Sequence, residues 1–82
     1  MTVTVRYFAA ARAAAGVEHE AIEVDDAATV ADLVEVLRGR GPELERVLAR
    51  CSYLRDGIAV RDIRTPLGEA ETIDVLPPFA GG

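Results

Sequence analysis

The chain has 82 residues, half of them hydrophobic, and a formal net charge of −5, so its length suits one small domain with a single core. Its nine basic residues are all arginines and are scattered along the sequence, which argues against a nucleic-acid-binding protein. No apolar run approaches the length of a membrane span and no secretory signal pattern is present, so we expect a cytoplasmic protein without a membrane partner.

The first third of the chain predicts a strand, a short helix and a second strand. The segment from Thr2 to Phe8 alternates with a period of two, as a half-buried strand does. Alanine dominates the segment from Ala9 to Ala15, and Gly16 follows it, which predicts a short helix with a glycine C-cap. A second strand is predicted from Glu20 to Val24.

The middle of the chain carries the signals of the main helix. Thr29 is a good N-cap residue, and Asp32 stands three positions later, where its side chain can reach back to the cap. The apolar residues that follow recur at helical spacing: Val30, Leu33, Val34 and Leu37. A glycine-rich segment ends this helix, and Pro42 begins another helical segment that continues to about Arg50.

The last third predicts a hairpin and a final strand. Ser52 to Arg55 and Ile58 to Val60 flank Asp56-Gly57, a strong signal for a two-residue hairpin turn. Thr65 to Gly68 forms a predicted turn, and Thr72 to Leu76 forms the last strand. The element order predicts an α+β fold in which one main helix packs on one face of a mixed sheet.

Two apolar residues fall on the predicted solvent-facing side of this sheet. Phe8 on the first strand and Leu76 on the last have the outward parity. If these strands are neighbours, the two side chains form an apolar spot where the chain leaves the sheet. We interpret Phe8 and Leu76 as a partner-docking surface, although single exposed apolar residues are common.

The final six residues are the most informative segment: Pro77, Pro78, Phe79, Ala80, Gly81 and Gly82. The prolines favour an extended conformation that projects from the domain, and the two glycines lack Cβ atoms and fit a narrow channel. Six extended residues reach roughly 20 Å. The pattern predicts a tail that inserts into another protein's active site, with the Gly82 carboxylate as the reacting group; the alternative is a frayed terminus without function.

No catalytic or metal-binding constellation is recognisable in the sequence. Cys51 has no second cysteine for a disulfide or a metal site, and its apolar neighbours favour a partly buried small side chain. His19 lies between two glutamates, as a solvated strand residue does. We predict no catalytic residue and no metal ligand in this chain, so that catalysis belongs to its partners.

Two segments together resemble the small, sulfur-carrying subunit of molybdopterin synthase. They are Phe8-Ala9-x-x-Arg12-x-x-x-Gly16 after the first strand and the terminus Leu76-Pro77-Pro78-Phe79-Ala80-Gly81-Gly82. The resemblance covers the whole chain and implies the β-grasp fold of ubiquitin for residues 1–76, with residues 77–82 as an extended tail. Arg55 departs from the pattern, because this position is usually apolar in such proteins, and a third residue of the docking surface cannot be placed on the hairpin.

The resemblance also implies a chemistry for Gly82. A ubiquitin-activating-like adenylating enzyme, which supplies ATP and Mg²⁺, converts the Gly82 carboxylate to an acyl-adenylate. A persulfide donor then delivers sulfur and leaves a thiocarboxylate. Gly81 permits threading, Phe79 and Ala80 grip the mouth of the channel, and Pro77 and Pro78 keep the tail extended while the large synthase subunit receives it. No cofactor is expected on this chain alone.

Three other functions remain open at the level of sequence. A related carrier would deliver sulfur for thiamine thiazole, cysteine or transfer-RNA thiolation by the same terminal chemistry. A protein modifier would instead be joined to target lysines through Gly82. A non-covalent ubiquitin-like binding module would not use its glycine tail at all. Since the chain has no lysine, chains of this protein linked through lysine side chains are excluded.

Overall fold

The structure, a computed structural model, describes residues 1–78. It contains five strands and three helices in the order β1, α1, β2, α2, α3, β3, β4, β5. The strands are β1 (Thr2–Tyr7), β2 (His19–Glu23), β3 (Ser52–Arg55), β4 (Ile58–Ala59) and β5 (Thr72–Leu76), and the helices are α1 (Ala9–Ala15), α2 (Val30–Arg38) and α3 (Pro42–Leu48). None of the helices in this part of the chain is both long and apolar enough to cross a bilayer.

The strands form one mixed sheet in the order β2-β1-β5-β3-β4. The central pair, β1 and β5, is parallel, and the other three pairs are antiparallel. The last strand therefore lies between the first strand and the hairpin. This order confirms the predicted mixed sheet and makes β1 and β5 neighbours, which was the condition for an apolar spot beside the tail.

The core lies on one face of the sheet, beneath the helices. Val3, Val5, Ile73 and Val75 on the central strands are fully buried, as their period-two parity predicts. All three helices contribute to the same cluster of buried residues, through Ala11, Leu33, Leu37, Leu44 and Leu48. The predicted main helix is α2, and α1 and α3 share its side of the sheet and pack on each other.

Local signals decide where the helices begin and end. Gly16 adopts φ +80° and its backbone N–H donates to the carbonyl of Arg12, so it closes α1 as predicted. Four elements have bounds that differ from the sequence predictions. β2 starts and ends one residue earlier, because its register pairs His19 with Arg6, and α3 ends at Leu48 rather than near Arg50. β1 ends at Tyr7 rather than Phe8, and β4 ends at Ala59 rather than Val60. The hairpin turn has positive φ at Asp56 and Gly57, as a type I′ turn requires.

The N-cap of α2 is a complete capping box. The Thr29 hydroxyl accepts from the backbone N–H of Asp32 at 3.2 Å, and the Asp32 carboxylate accepts from the backbone N–H of Thr29 at 2.9 Å. We expect Thr29→Ala to lower the free energy of unfolding by about 1 kcal/mol, because one N–H of the first turn loses its acceptor. Urea denaturation measures this loss, and Thr29→Ser, which keeps the hydroxyl, is the matched control. Equal stability of the alanine and serine variants would show that the cap contributes nothing.

Candidate functional site

The end of β5 and the start of α1 meet at one corner of the domain. Tyr7 is paired with Val75, and the backbone N–H of Phe8 donates to the carbonyl of Val75 at 3.2 Å. This bond places Phe8 beside Leu76, the last residue of β5. The strand brings the chain to this corner, so the segment that follows Leu76 starts next to Phe8.

The two predicted docking residues, Phe8 and Leu76, differ in secondary structure and in exposure. Phe8 does not belong to β1: the strand ends at Tyr7, and Phe8 is the N-cap residue of α1 with extended backbone angles. The prediction that Phe8 lies on a strand was wrong, because the helix begins at once at Ala9. Its side chain is 39% exposed, whereas Leu76 is half-buried. That the two residues dock a partner stays a prediction.

The beginning of the predicted tail lies against the helices. Pro77 is buried and Pro78 is exposed. Both line a surface groove of about 840 Å³ whose other walls come from α1, α3 and the residues just after α3. Phe79, Ala80, Gly81 and Gly82 lie outside the described residues, so the boundary between domain and tail stays a prediction, as do the roles of these four residues.

The outer face of the sheet is the face opposite the helices. One row of paired residues crosses this face through all five strands. The row consists of His19, Arg6, Asp74, Leu54 and Ala59, in spatial order. Residues directly opposite each other in a sheet share a face, so Leu54 stands on the outer face with Arg6. Leu54 is half-buried and Ala59 is exposed. The hairpin thus adds two apolar residues to the outer face: Leu54, diagonally across from Leu76, and Ala59 on the edge strand.

Sequence reasoning missed Leu54, although a signal was present. Tyr53 is buried in the core, so period-two alternation on β3 puts Leu54 outward. Arg55 then returns to the inner side, where its Nε donates to the carbonyl of Leu67 at 2.9 Å. This bond explains why an arginine stands before the hairpin turn: its guanidinium packs against the turn at Gly68, where an added Cβ would lie 2.9 Å from Nη2 of Arg55.

An ion pair occupies the centre of the outer face. Nε and Nη2 of Arg6 donate to the two carboxylate oxygens of Asp74, at 2.6 and 2.8 Å. The Asp74 side chain is only 6% exposed, whereas that of Arg6 is 51% exposed. Hydrogen bonding and the charge of Asp74 raise the pKa of Arg6 above its ordinary value. The carbon at the centre of the guanidinium lies 5.9 Å from the centroid of the Phe8 ring, within the range of a cation–π contact.

The single thiol is half-buried, as its apolar neighbours predict. Sγ of Cys51 donates to the carbonyl of Val47 at 3.2 Å, and burial raises the pKa of Cys51 to about 11. The thiolate is the nucleophilic form, so this environment makes Cys51 a poor nucleophile. Within residues 1–78, no group of three or more histidine, cysteine, aspartate or glutamate side chains is placed to hold a metal ion.

Alkylation kinetics measure this protection directly. At pH 8 we expect iodoacetamide to modify Cys51 at least about tenfold more slowly in the folded chain than in the urea-unfolded chain. Burial blocks access of the reagent and disfavours ionisation of the thiol. Mass spectrometry follows the reaction, and a glutathione sample in the same urea concentration controls for the effect of urea on the reagent. Equal rates for folded and unfolded chains would contradict the assigned environment.

Comparisons with known proteins agree on one family. A model of the ThiS family matches residues 5–82. The chain is 30% identical over 83 residues to the molybdopterin synthase sulfur carrier subunit of Chlamydomonas reinhardtii, with all of both proteins covered. Among solved structures, it is similar to SAMP1, a small archaeal modifier protein, of Haloferax volcanii, with a TM-score of 0.85, 28% identity and full coverage of both chains.

A further structural likeness is to a chain in a protein–protein complex of subunits 1 and 2 of the molybdopterin-converting factor from Helicobacter pylori. The TM-score is 0.75 and the identity is 26%, with full coverage of both chains. These similarities extend over the whole domain and agree with the mixed sheet and the three helices. The β-grasp fold predicted from the sequence is confirmed, and the chain belongs to the ThiS family of ubiquitin-like proteins.

Proposed function

We propose that this chain is a sulfur carrier for molybdopterin synthesis, loaded and discharged at Gly82. The observation that carries the proposal is the extent of the family match, which runs to residue 82 and includes the glycine pair. The identity over full length with a molybdopterin synthase sulfur carrier subunit supports the same pathway. The hydrogen bond from Phe8 to Val75 brings the end of β5, which precedes the tail, next to the start of α1.

Loading requires activation, because a carboxylate is a poor electrophile. An oxygen of the Gly82 carboxylate attacks the α-phosphorus of ATP, and pyrophosphate leaves. The terminal sulfur of a persulfide donor then attacks the carbonyl carbon, and AMP leaves. A thiol attacks the donor-side sulfur of the resulting acyl disulfide and breaks its S–S bond, which leaves the thiocarboxylate on Gly82 and a disulfide on the donor. The adenylating enzyme supplies ATP and Mg²⁺ and performs the catalysis.

Discharge takes place in the large subunit of the synthase. Gly81 and Gly82, which have no side chains, enter its channel, and Phe79 and Ala80 contact the mouth of the channel. Pro78 restricts the free tail, so less conformational entropy is lost on insertion. The thiocarboxylate sulfur forms a bond to a carbon of a pyranopterin precursor, water then hydrolyses the acyl C–S bond, and the carrier leaves as the carboxylate. In this scheme the chain contributes no general acid or base. Loading and discharge both take place in the cytoplasm.

The test is discharge of a loaded carrier by defined acceptors. Thiocarboxylated chain is incubated with the large subunit and the pyranopterin precursor, and intact mass reports whether sulfur has left. We expect complete return to the carboxylate only when both are present. A loaded chain that persists with them, yet is discharged by a thiazole-forming or transfer-RNA-thiolating system, would contradict the assignment to molybdopterin.

The likeness to SAMP1 favours a second candidate function, the attachment of Gly82 to lysines of other proteins. The same acyl-adenylate serves it, with a lysine amine in place of sulfur as the nucleophile. Isopeptide-linked adducts in cells would support this function. Their absence under both sulfur-replete and stressed growth, together with discharge by the large subunit, would leave the carrier function alone.

A further inference from the structure

The ion pair of Arg6 and Asp74 lies in a place where the fold does not require it. Asp74 stands in the middle of β5, between the fully buried Ile73 and Val75, and is itself buried on the outer face. Burying a carboxylate is unfavourable unless a partner compensates the charge. Replacing a buried ion pair by apolar side chains is often neutral or stabilising, so the folding of the sheet gives no reason for this pair.

The pair fixes the position of a cation beside the predicted docking residue. Two parallel hydrogen bonds from Nε and Nη2 hold the guanidinium in the plane of the Asp74 carboxylate, a geometry that removes most of its rotational freedom. The guanidinium then lies beside the ring of Phe8. A cation at this distance favours ring orientations that keep the face of Phe8 toward Arg6.

The guanidinium also keeps unused donors. An arginine side chain has five N–H groups, and within residues 1–78 no hydrogen bond is made by Nη1 of Arg6, whereas Nε and Nη2 both serve Asp74. With its side chain half exposed, Arg6 presents the Nη1 edge to solvent. Phe8 lies on one side of it and Leu76 is at the diagonal position on β5, and a partner that excludes water there strengthens a charge-assisted hydrogen bond.

We propose that Arg6, held by Asp74, is a recognition and positioning residue of the partner-docking surface on the outer face: it orients Phe8 and binds a carboxylate of the large subunit. The proposal rests on the proposed function, because that function names the partner. A carboxylate is the group that fits Nη1, because Nη1 offers hydrogen-bond donors and no acceptor. The planar edge of a guanidinium also matches the two oxygens of a carboxylate, whereas an ammonium group acts as a point charge. The face is continuous with the corner from which the tail leaves.

The test replaces both members of the pair. Arg6→Leu with Asp74→Leu removes the anchor without leaving a buried charge, so the double variant is expected to fold. Its affinity for the large subunit is expected to fall about 10- to 100-fold, the effect of losing hydrogen bonds to a charged group. The dependence of log Kd on log salt is expected to flatten, because an interface charge pair has gone. Thr4→Val with Thr72→Val, a paired position on the same face, is the matched control and keeps native affinity.

Two further readouts separate recognition from a structural effect. Arg6→Lys keeps the charge but not the two-pronged geometry, and we expect it to retain the salt dependence while losing part of the affinity. In the native chain, NMR is expected to show the Arg6 side-chain protons shifted by the Phe8 ring, and Phe8→Ala abolishes that shift. Native affinity and native salt dependence in the double leucine variant, or no binding of the native chain by the large subunit, would overturn the proposal. Sulfur loading of the native chain, measured separately, tests the proposed function.

Discussion

Deletion of Gly82 is expected to abolish sulfur loading and to leave the domain folded. The shortened chain still ends in a glycine carboxylate, so its chemistry is unchanged, but that carboxylate falls short by about 3.5 Å, the length of one extended residue. Transfer of the adenylyl group needs the carboxylate oxygen about 3 Å from the α-phosphorus, so such a displacement prevents attack on ATP. Intact-mass measurement after incubation with ATP, the adenylating enzyme and a persulfide donor follows the loss.

Two controls make the deletion informative. Circular dichroism and urea denaturation are expected to match those of the native chain, because the folded core is formed by residues well before the terminus. Gly82→Ala keeps the length and adds one methyl group, so it separates the reach of the tail from the width of the channel. A shortened chain that still acquires a thiocarboxylate would refute the role given to Gly82.

Asp56→Ala is expected to cause a large loss of stability, about 2–3 kcal/mol. One carboxylate oxygen of Asp56 accepts from the backbone N–H groups of Glu71 and Thr72, at 3.0 and 2.9 Å, and so ties the hairpin turn to the start of β5. Each lost bond costs about 1 kcal/mol. Asp56 also adopts φ +48°, which aspartate tolerates better than alanine, and this adds about 1 kcal/mol.

Urea denaturation measures the effect of this change as a lower midpoint with an unchanged slope. Asp56→Asn is the matched variant, because it keeps one oxygen acceptor and tolerates the left-handed conformation, and we expect it to lose less than half as much stability. If the alanine variant stays within about 0.5 kcal/mol of the native chain, the size of an ordinary surface effect, the turn does not depend on these hydrogen bonds.

Much of the fold was predictable because its signals are local. The capping box at Thr29, the C-cap at Gly16 and the turn at Asp56-Gly57 each depend on residues within a few positions, and each lies where the sequence places it. The inward residues of β1 and β5 follow from simple alternation. The bounds that differ lie where no strong local signal marks the end of an element, as at the start of β2 and the end of α3.

The outer face was less predictable, because its composition depends on the strand order. Arg6 and Asp74 are 68 residues apart in sequence, and only the insertion of β5 between β1 and β3 brings them together. The same insertion places Leu54 next to Asp74. Burial of Pro77 likewise depends on the packing of α1 and α3, and local sequence patterns do not predict that packing. Alternation gives the face of each side chain but not its neighbours across the sheet.

The proposed function depends on covalent loading of sulfur at the terminus. The most direct measurement is the intact mass of the native chain after incubation with ATP, the adenylating enzyme and a persulfide donor, followed by fragmentation to locate any change. We expect the mass gain of one oxygen replaced by sulfur, located on Gly82. An unchanged mass in a reaction that loads a known carrier of the same family, or a gain located on Cys51, would contradict it.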